Sequence, residues 1–332
     1  MATGIYGCLH FLVDGLCAWA MFARYIPGGG GYTAMLIYNF CAFALQMPLG
    51  ILLDSAKRER APFCWAVLGA ALTVLGCVSH PAVLGLGNAL FHTGGGVDVI
   101  REDWRGGKKG SLLGIFVAPG GLGLFLGTWL GKTRGDTAAP VILFALAMAL
   151  LCLVGKGKIR VPRTAPPSAG GNGTLVLVSC FAVVVLRSFV GLAVSFPWKV
   201  GLGFGLSATL AVVLGKMAGG ILAARFGPGR IAGCSLLLAA VCYLLSGSAF
   251  FGLTALFLFN MTMPITLYTL ACRFPKLPGF SFGCLTFGLF LGFLPVYFGW
   301  NFPVSGPVLG ALGSVLSLLL LWKAVKEHRI LC

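Results

Sequence analysis

The sequence predicts an all-α polytopic membrane protein, with twelve transmembrane helices in two six-helix bundles related by a pseudo-twofold. Composition is the first reason. The 332-residue chain is 58% hydrophobic and 10% charged, with a mean hydropathy of +0.96. A soluble domain carries about 25% charged residues. No single aqueous core can bury this much apolar surface, so the bilayer has to act as solvent. Internal repetition is the second reason. The segment from Gly50 to Arg60 closes a long apolar run with a glycine-marked basic turn, and it returns half a chain later as Gly220 to Arg230. Folds of two parallel helical repeats place a binding site between the halves, near the bilayer midplane. The third reason is the longest polar stretch, residues 156–173, which separates the two sets of apolar runs.

A spanning helix needs roughly 20 apolar residues. Span one, 4–25, follows an N-terminus with no basic region, so it is expected to be a retained helix and not a cleaved signal peptide. Span two, 33–54, ends on Asp54 and the basic turn of Lys57, Arg58 and Arg60. Spans three to six are 62–79, 81–99, 110–131 and 138–155, the fourth being interrupted by Gly94, Gly95 and Gly96. They complete a first bundle, 1–155. Residues 156–173, with Lys158, Arg160, Arg163, Pro166 and Pro167, have the Pro, Gly and Ser content of a cytoplasmic linker. The second bundle, 174–332, holds spans 174–198, 203–225, 229–248, 250–273, 279–299 and 303–324. A second echo supports the duplication: Gly123–Gly127 in span five recurs as Gly288–Gly292 in span eleven. The 50 glycines would weaken water-exposed helices, but in a membrane they let helices pack closely.

The net charge of +16 taken alone suggests nucleic acid or an acidic partner. The positions of the charges argue otherwise. With both termini inside, most of the 24 Lys and Arg residues fall in inner loops and the tail, while Arg24, Lys132, Arg134 and Lys199 lie outside. The positive-inside rule expects this asymmetry. The basic excess therefore reads as orientation and anionic-lipid contact, with no nucleic acid, in a cytoplasmic (inner) membrane with both termini cytoplasmic. The 12 cysteines are scattered, mostly within apolar runs, and form no CxxC pair, so they read as small buried hydrophobes. No P-loop, HExxH or potassium-filter motif occurs. No cofactor and no metal are expected, and the chain is expected to act as a monomer.

Gly50, Asp54, Lys57, Arg58 and Arg60 resemble the loop 2–3 signature of the major facilitator superfamily: a glycine, an aspartate four residues on, then basic residues. The second copy has Ala224 where the first has Asp54. The resemblance implies an inner gate latch, with Asp54, Arg58, Arg60 and Arg230 changing partners as the halves rock. Three further segments, His10–Asp14, Gly87–His92 and Leu186–Phe189, resemble the fosmidomycin-resistance branch, which comprises proton-driven exporters of small molecules. That branch has a proline and an acid after the span-four histidine, whereas Thr93 and three glycines follow here. The resemblance also implies that spans one, four, seven and ten line a central cavity. His10, Asp14, His92 and Arg187 fall on that set, together with Asn260, Thr262, Pro264, Thr266 and Tyr268 of span ten.

Several of these residues carry chemistry in their own right. His10 and Asp14 are four apart and share a helix face. A mid-span carboxylate is costly unless paired or wet, so Asp14 reads as a proton carrier with His10 as relay; the alternative is a structural contact between helices. Imidazole titrates near neutral pH, which makes His92 a second candidate for proton coupling or substrate contact. The glycines after it are expected to let the helix unwind toward a ligand, or else to mark a close crossing. Arg187 offers a charged, planar fork for a carboxylate or phosphate, so it is expected to bind an anionic substrate or to pair with Asp14 in the empty state; the alternative is a permanent structural ion pair. Lys216, among Gly215, Gly219 and Gly220, is a candidate anion sensor or latch. Asn39 and Gln46 on span two are candidate substrate contacts or interhelical hydrogen-bond partners. The expected function is proton-coupled secondary active transport of a small anionic organic molecule, as an efflux antiporter. The alternatives are an importer on the same fold, a membrane-embedded enzyme or a lipid flippase.

Overall fold

The computed structural model describes residues 2–164, 172–300 and 302–327. Residues 165–171 of the expected linker, including Pro166 and Pro167, and the tail beyond 327 lie outside the described residues. The described residues are helical, with loops and no strand among them. Helix α1 (Ala2–Ala20) runs on through a π-type stretch, Met21–Gly30. Gly28 and Gly29 leave helical geometry there, and Gly29 has φ +86°, a left-handed conformation that glycine adopts freely. This is the turn into α2 (Gly31–Asn39), which continues through a second π-type stretch (Phe40–Ala44) into α3 (Gln46–Ser55). Then come α4 (Ala61–Val78), α5 (Pro81–Arg105), α6 (Ser111–Val117), α7 (Pro119–Arg134) and α8 (Ala138–Lys158). The second half holds α9 (Gly173–Ala193), α10 (Gly201–Phe226), α11 (Pro228–Leu244), α12 (Ala249–Asn260), α13 (Thr262–Arg273), α14 (Pro278–Tyr297) and α15 (Gly306–Glu327).

A helix lies at every predicted span, and three details differ. First, α5 is continuous from Pro81 to Arg105 and does not unwind at Gly94–Gly96. Those glycines serve packing: a side chain on Gly94 would meet the Pro62 carbonyl, and one on Gly96 the Phe282 ring. Second, Pro119 at the first turn of α7 divides span five into α6 and α7. Third, span ten, expected to break at Pro264, breaks three residues earlier, at Met261. Proline has no N–H for the carbonyl four residues earlier, which belongs to Asn260, so the ladder fails there.

Among the described residues, nine helical runs are long and apolar enough to cross a membrane. Helix α5 is not one of them, because Asn88, His92, Asp98 and its glycines dilute its apolar character. Helix α8 shows the solvent these runs expect: Leu143, Leu146, Leu150 and Leu153 are 62–69% exposed along one stripe, an apolar face suited to acyl chains.

The chain forms two compact units. Unit 1 comprises Met1–Glu102, Ile115–Thr164 and Leu277–Gly283. Helix α1 is its centre, with α7, α8 and α4 packed around it. The α7 contact is built on a buried glycine stripe, Gly120, Gly123, Gly127 and Gly131. A side chain on Gly123 would collide with the Phe11 carbonyl, and one on Gly127 with the Gly15 carbonyl. Backbones can approach this closely only where residues are small.

Unit 2 comprises Asp103–Gly114, Ala165–Lys276 and Cys284–Cys332. In it α15 packs on α9 and α11, and α12 on α10 and α11. Gly215 and Gly219 of α10 abut the carbonyls of Phe257 and Met261. The repeated glycine motif has the same job in each unit. Gly123 and Gly127 seat α7 on α1, and Gly292 seats α14 against Val185 and Ser188 of α9.

Candidate functional site

His10, Asp14 and His92 meet inside unit 1. Asp14 lies one turn beyond His10 on α1, and α5 brings His92 across to both. His10 Nε2 is 3.1 Å from Asp14 Oδ2, and His92 Nε2 is 3.6 Å from Asp14 Oδ1. The two Nε2 atoms are 2.8 Å apart. All three residues are buried, at 6–8% exposure. Asn88, one turn before His92, donates its side-chain N–H to Asp14 Oδ1 at 3.0 Å.

The far nitrogens fix the proton positions. His10 Nδ1 lies 2.8 Å from the Phe116 carbonyl, and His92 Nδ1 lies 2.9 Å from the Asn88 carbonyl. A carbonyl can only accept, so each Nδ1 carries its hydrogen and donates. In both neutral rings Nε2 therefore presents a lone pair. Two lone pairs at hydrogen-bond distance repel unless a cation lies between them, and the Asp14 carboxylate supplies the balancing negative charge.

Local structure explains each anchor. Phe116 sits in the last turn of α6, where helix carbonyls lack their usual partners. Gly120, at the start of the α7 stripe, leaves room for the cluster; a Cβ there would run into His10 Nε2 and Asp14 Oδ2. The sequence reading missed the roles of Asn88, Phe116 and Gly120. For Asn88 a signal existed, since its four-residue spacing to His92 repeats that of His10 to Asp14.

A second missed feature lies below the cluster on the same two helices. Tyr6, one turn before His10, donates its hydroxyl to Asp98 at 2.6 Å, and both are buried. Farther along, Glu102 accepts from the Thr3 hydroxyl at 2.6 Å and the Thr3 N–H at 2.7 Å. Helices α1 and α5 thus share a seam of polar pairs. Asp98 also lines a cavity of about 400 Å³ with Glu59, Arg60 and Arg160.

The other predicted residues are placed as follows. Asp54 accepts from the backbone N–H groups of Gly279 and Phe280, both at 2.8 Å, and so caps the start of α14. The expected partners were basic side chains. Amide donors at a helix N-terminus satisfy a carboxylate as well, because those N–H groups lack partners within the helix. Arg58, Arg60 and Arg230 are exposed. Asn39 and Gln46 donate to carbonyls of their own helices, Met35 and Ala42, at 2.8 and 2.6 Å. In unit 2, Asn260 likewise donates to Leu256, at 2.9 Å. Lys216 is half-buried on α10, and Tyr268 is buried against Gly110. Arg187 is 6% exposed on α9, and its Nη1 has no hydrogen-bond partner among the described residues. Asp14 is held by His10, His92 and Asn88, all of them in unit 1.

Unit 2 also supplies what the second repeat lacks. Where Ala224 replaces the acid, Asp103 accepts from the N–H groups of Gly110 and Leu112 at 2.7 and 3.0 Å, capping the start of α6.

Solved structures decide what this helix arrangement resembles. The chain matches FucP, described as a major facilitator superfamily transporter in the outward conformation, with a TM-score of 0.66 over 98% of each chain and 13% identity. The fold is that of the major facilitator superfamily. A variant of the E. coli fucose:proton symporter FucP matches with a TM-score of 0.62 and 14% identity over 98% of each chain. The human organic anion transporter MFSD10 matches with a TM-score of 0.56 and 15% identity, over 97% of this chain and 83% of that one. No protein-family model matches the chain, and no curated protein matches it by sequence. Identities this low establish the fold alone. Within that fold, the His10–Asp14–His92 cluster and the buried Arg187 are the features of this chain that call for a functional account.

Proposed function

We propose that the protein is a secondary active transporter of the cytoplasmic membrane, working by alternating access. It exchanges protons for a small anionic organic molecule and acts as an efflux antiporter. The observation that carries the reading is the buried meeting of two imidazoles and a carboxylate, with ring nitrogens aimed so that they share one positive charge. On a superfamily fold, such a group is a place to load and unload a proton. Asp14, His10 and His92 are its coupling residues.

Arg187 supports the anionic substrate. A buried guanidinium is expensive unless it meets an anion, and its Nη1 has no partner among the described residues. Asn39, Asn260, Lys216, Tyr268 and His92 complete the proposed substrate path, while Asp54, Arg58, Arg60 and Arg230 form the proposed inner gate. The working divisions are a bundle of residues 1–155, a cytoplasmic linker 156–173 and a bundle 174–332, in a monomer with both termini cytoplasmic. The branch of proton-driven small-molecule exporters fits the same residues. Import with protons is the second reading, favoured by the symporter among the similar folds.

Flux in proteoliposomes under an imposed pH gradient tests the proposal. Proton-linked movement of a small organic anion, lost in Asp14→Asn, is the expected result. The sign of the flux against the gradient separates antiport from symport. Anion flux that ignores the gradient and persists in Asp14→Asn defeats the proton-coupling assignment.

A further inference from the structure

We infer that His10, Asp14 and His92 form a binding site for a divalent transition-metal ion of the zinc class. Among the described residues they are the group of three potential ligands whose donor atoms all lie within 4.8 Å of one another. The geometry suits such an ion closely. Zinc bonds of about 2.0–2.1 Å to nitrogen and oxygen put neighbouring donors of a tetrahedral site about 3.3 Å apart. Here the two Nε2 atoms are 2.8 Å apart, His10 Nε2 is 3.1 Å from Asp14 Oδ2, and His92 Nε2 is 3.6 Å from the other carboxylate oxygen, Oδ1.

The surroundings are those of a ligand set. A metal-binding histidine almost always donates its other ring N–H to a carbonyl or carboxylate, which fixes the tautomer and aims the lone pair. Both rings do so, to the carbonyls of Phe116 and Asn88. The carboxylate is held as well, by the Asn88 amide. Gly120 lets the α7 backbone pack against the cluster without a side chain that would run into His10 Nε2 and Asp14 Oδ2. Two imidazoles and one carboxylate favour zinc, cobalt or nickel over magnesium and calcium, which prefer all-oxygen shells. The ion needs the same Nε2 lone pairs as a shared proton, so the site holds one or the other. The inference concerns a second ligand for these residues and does not depend on the transport reading.

Titration of the purified, metal-stripped full chain with Co²⁺ and Zn²⁺ tests it. We expect one equivalent bound, a rise in melting temperature, and Co²⁺ visible bands of a low-symmetry nitrogen–oxygen site. Affinity should fall at least tenfold in His92→Ala, in Asp14→Asn, and in Gly120→Ala, which keeps all three donors but blocks their meeting point. Mg²⁺ should give no shift. Unchanged affinity in these variants overturns the site. So does a Co²⁺ spectrum of thiolate type that alkylation abolishes, since Cys8, Cys64 and Cys234 are exposed thiols. The Co²⁺ spectrum of the unaltered chain decides the ligand type even if a variant fails to fold. Flux measured in metal-free buffer stands apart: failure to bind metal leaves the transport reading intact, and failure of proton-linked flux leaves the metal site intact.

Discussion

The Nε2 atoms of His10 and His92 face each other at 2.8 Å, and each ring is locked from behind by a backbone carbonyl. The pair is therefore built to hold a positive charge, and the Asp14 carboxylate beside it keeps that charge tolerable in a buried setting.

Nitrogen NMR of histidine-labelled protein reads this directly. Both rings should show a protonated Nδ1. Rings found mainly as the opposite tautomer, with hydrogen on Nε2 and none on Nδ1, would mean that the two carbonyl contacts are not hydrogen bonds.

The glycine stripe of α7 should be intolerant of bulk. Gly123→Leu forces α7 off the Phe11 carbonyl and should cost at least about 1–3 kcal/mol, the usual range for overpacking. Gly233, in the interior of α11, is different: a Cβ added there would meet no atom of the described residues within 4 Å. Gly233→Ala should instead be neutral or stabilise by about 0.4–1 kcal/mol, by reducing unfolded-chain entropy. Thermal melts of the two variants in one detergent make the comparison, and equal losses would refute the packing account.

Removing either helix cap should weaken its helix start. Asp54→Ala and Asp103→Ala should each cost about 1 kcal/mol, as cap deletions do. Hydrogen exchange locates the effect: Gly279 and Phe280 should lose protection in the first variant, and Gly110 and Leu112 in the second. If each variant deprotected the other's pair instead, the assignment of caps would be wrong.

Tyr6→Phe leaves the buried Asp98 carboxyl without the hydroxyl that serves it. Loss of a buried partner costs about 1–3 kcal/mol. A melting temperature equal to that of the parent chain would show that Asp98 finds another partner.

Helix positions were legible because apolar runs of bilayer length and their basic, glycine-marked ends are local signals. Half of the cluster was legible for the same reason, since the four-residue spacing of His10 and Asp14 puts them on one face. His92 was recognisable as a mid-span imidazole, but its meeting with His10 depends on contact between α1 and α5, which no local pattern encodes. The Phe116 carbonyl is a backbone atom that every residue has, so the sequence could not mark it. Gly94–Gly96 suggested unwinding because glycine is a weak helix former; close packing against α4 and Phe282 outweighs that weakness. The sequence showed that the acid is missing at Ala224 but not what caps α6 instead, because Asp103 comes from a different place in the chain.

That replacement makes the two repeats mechanically unequal. The Asp54 cap joins positions 225 residues apart, whereas Asp103 reaches only seven residues ahead to Gly110. One fastening ties distant stretches of polypeptide together, and the other closes a single bend. The copies are accordingly no longer interchangeable parts: grafting Gly220–Arg230 into the first position would leave α14 unfastened, while the reverse graft would give α6 a spare carboxylate.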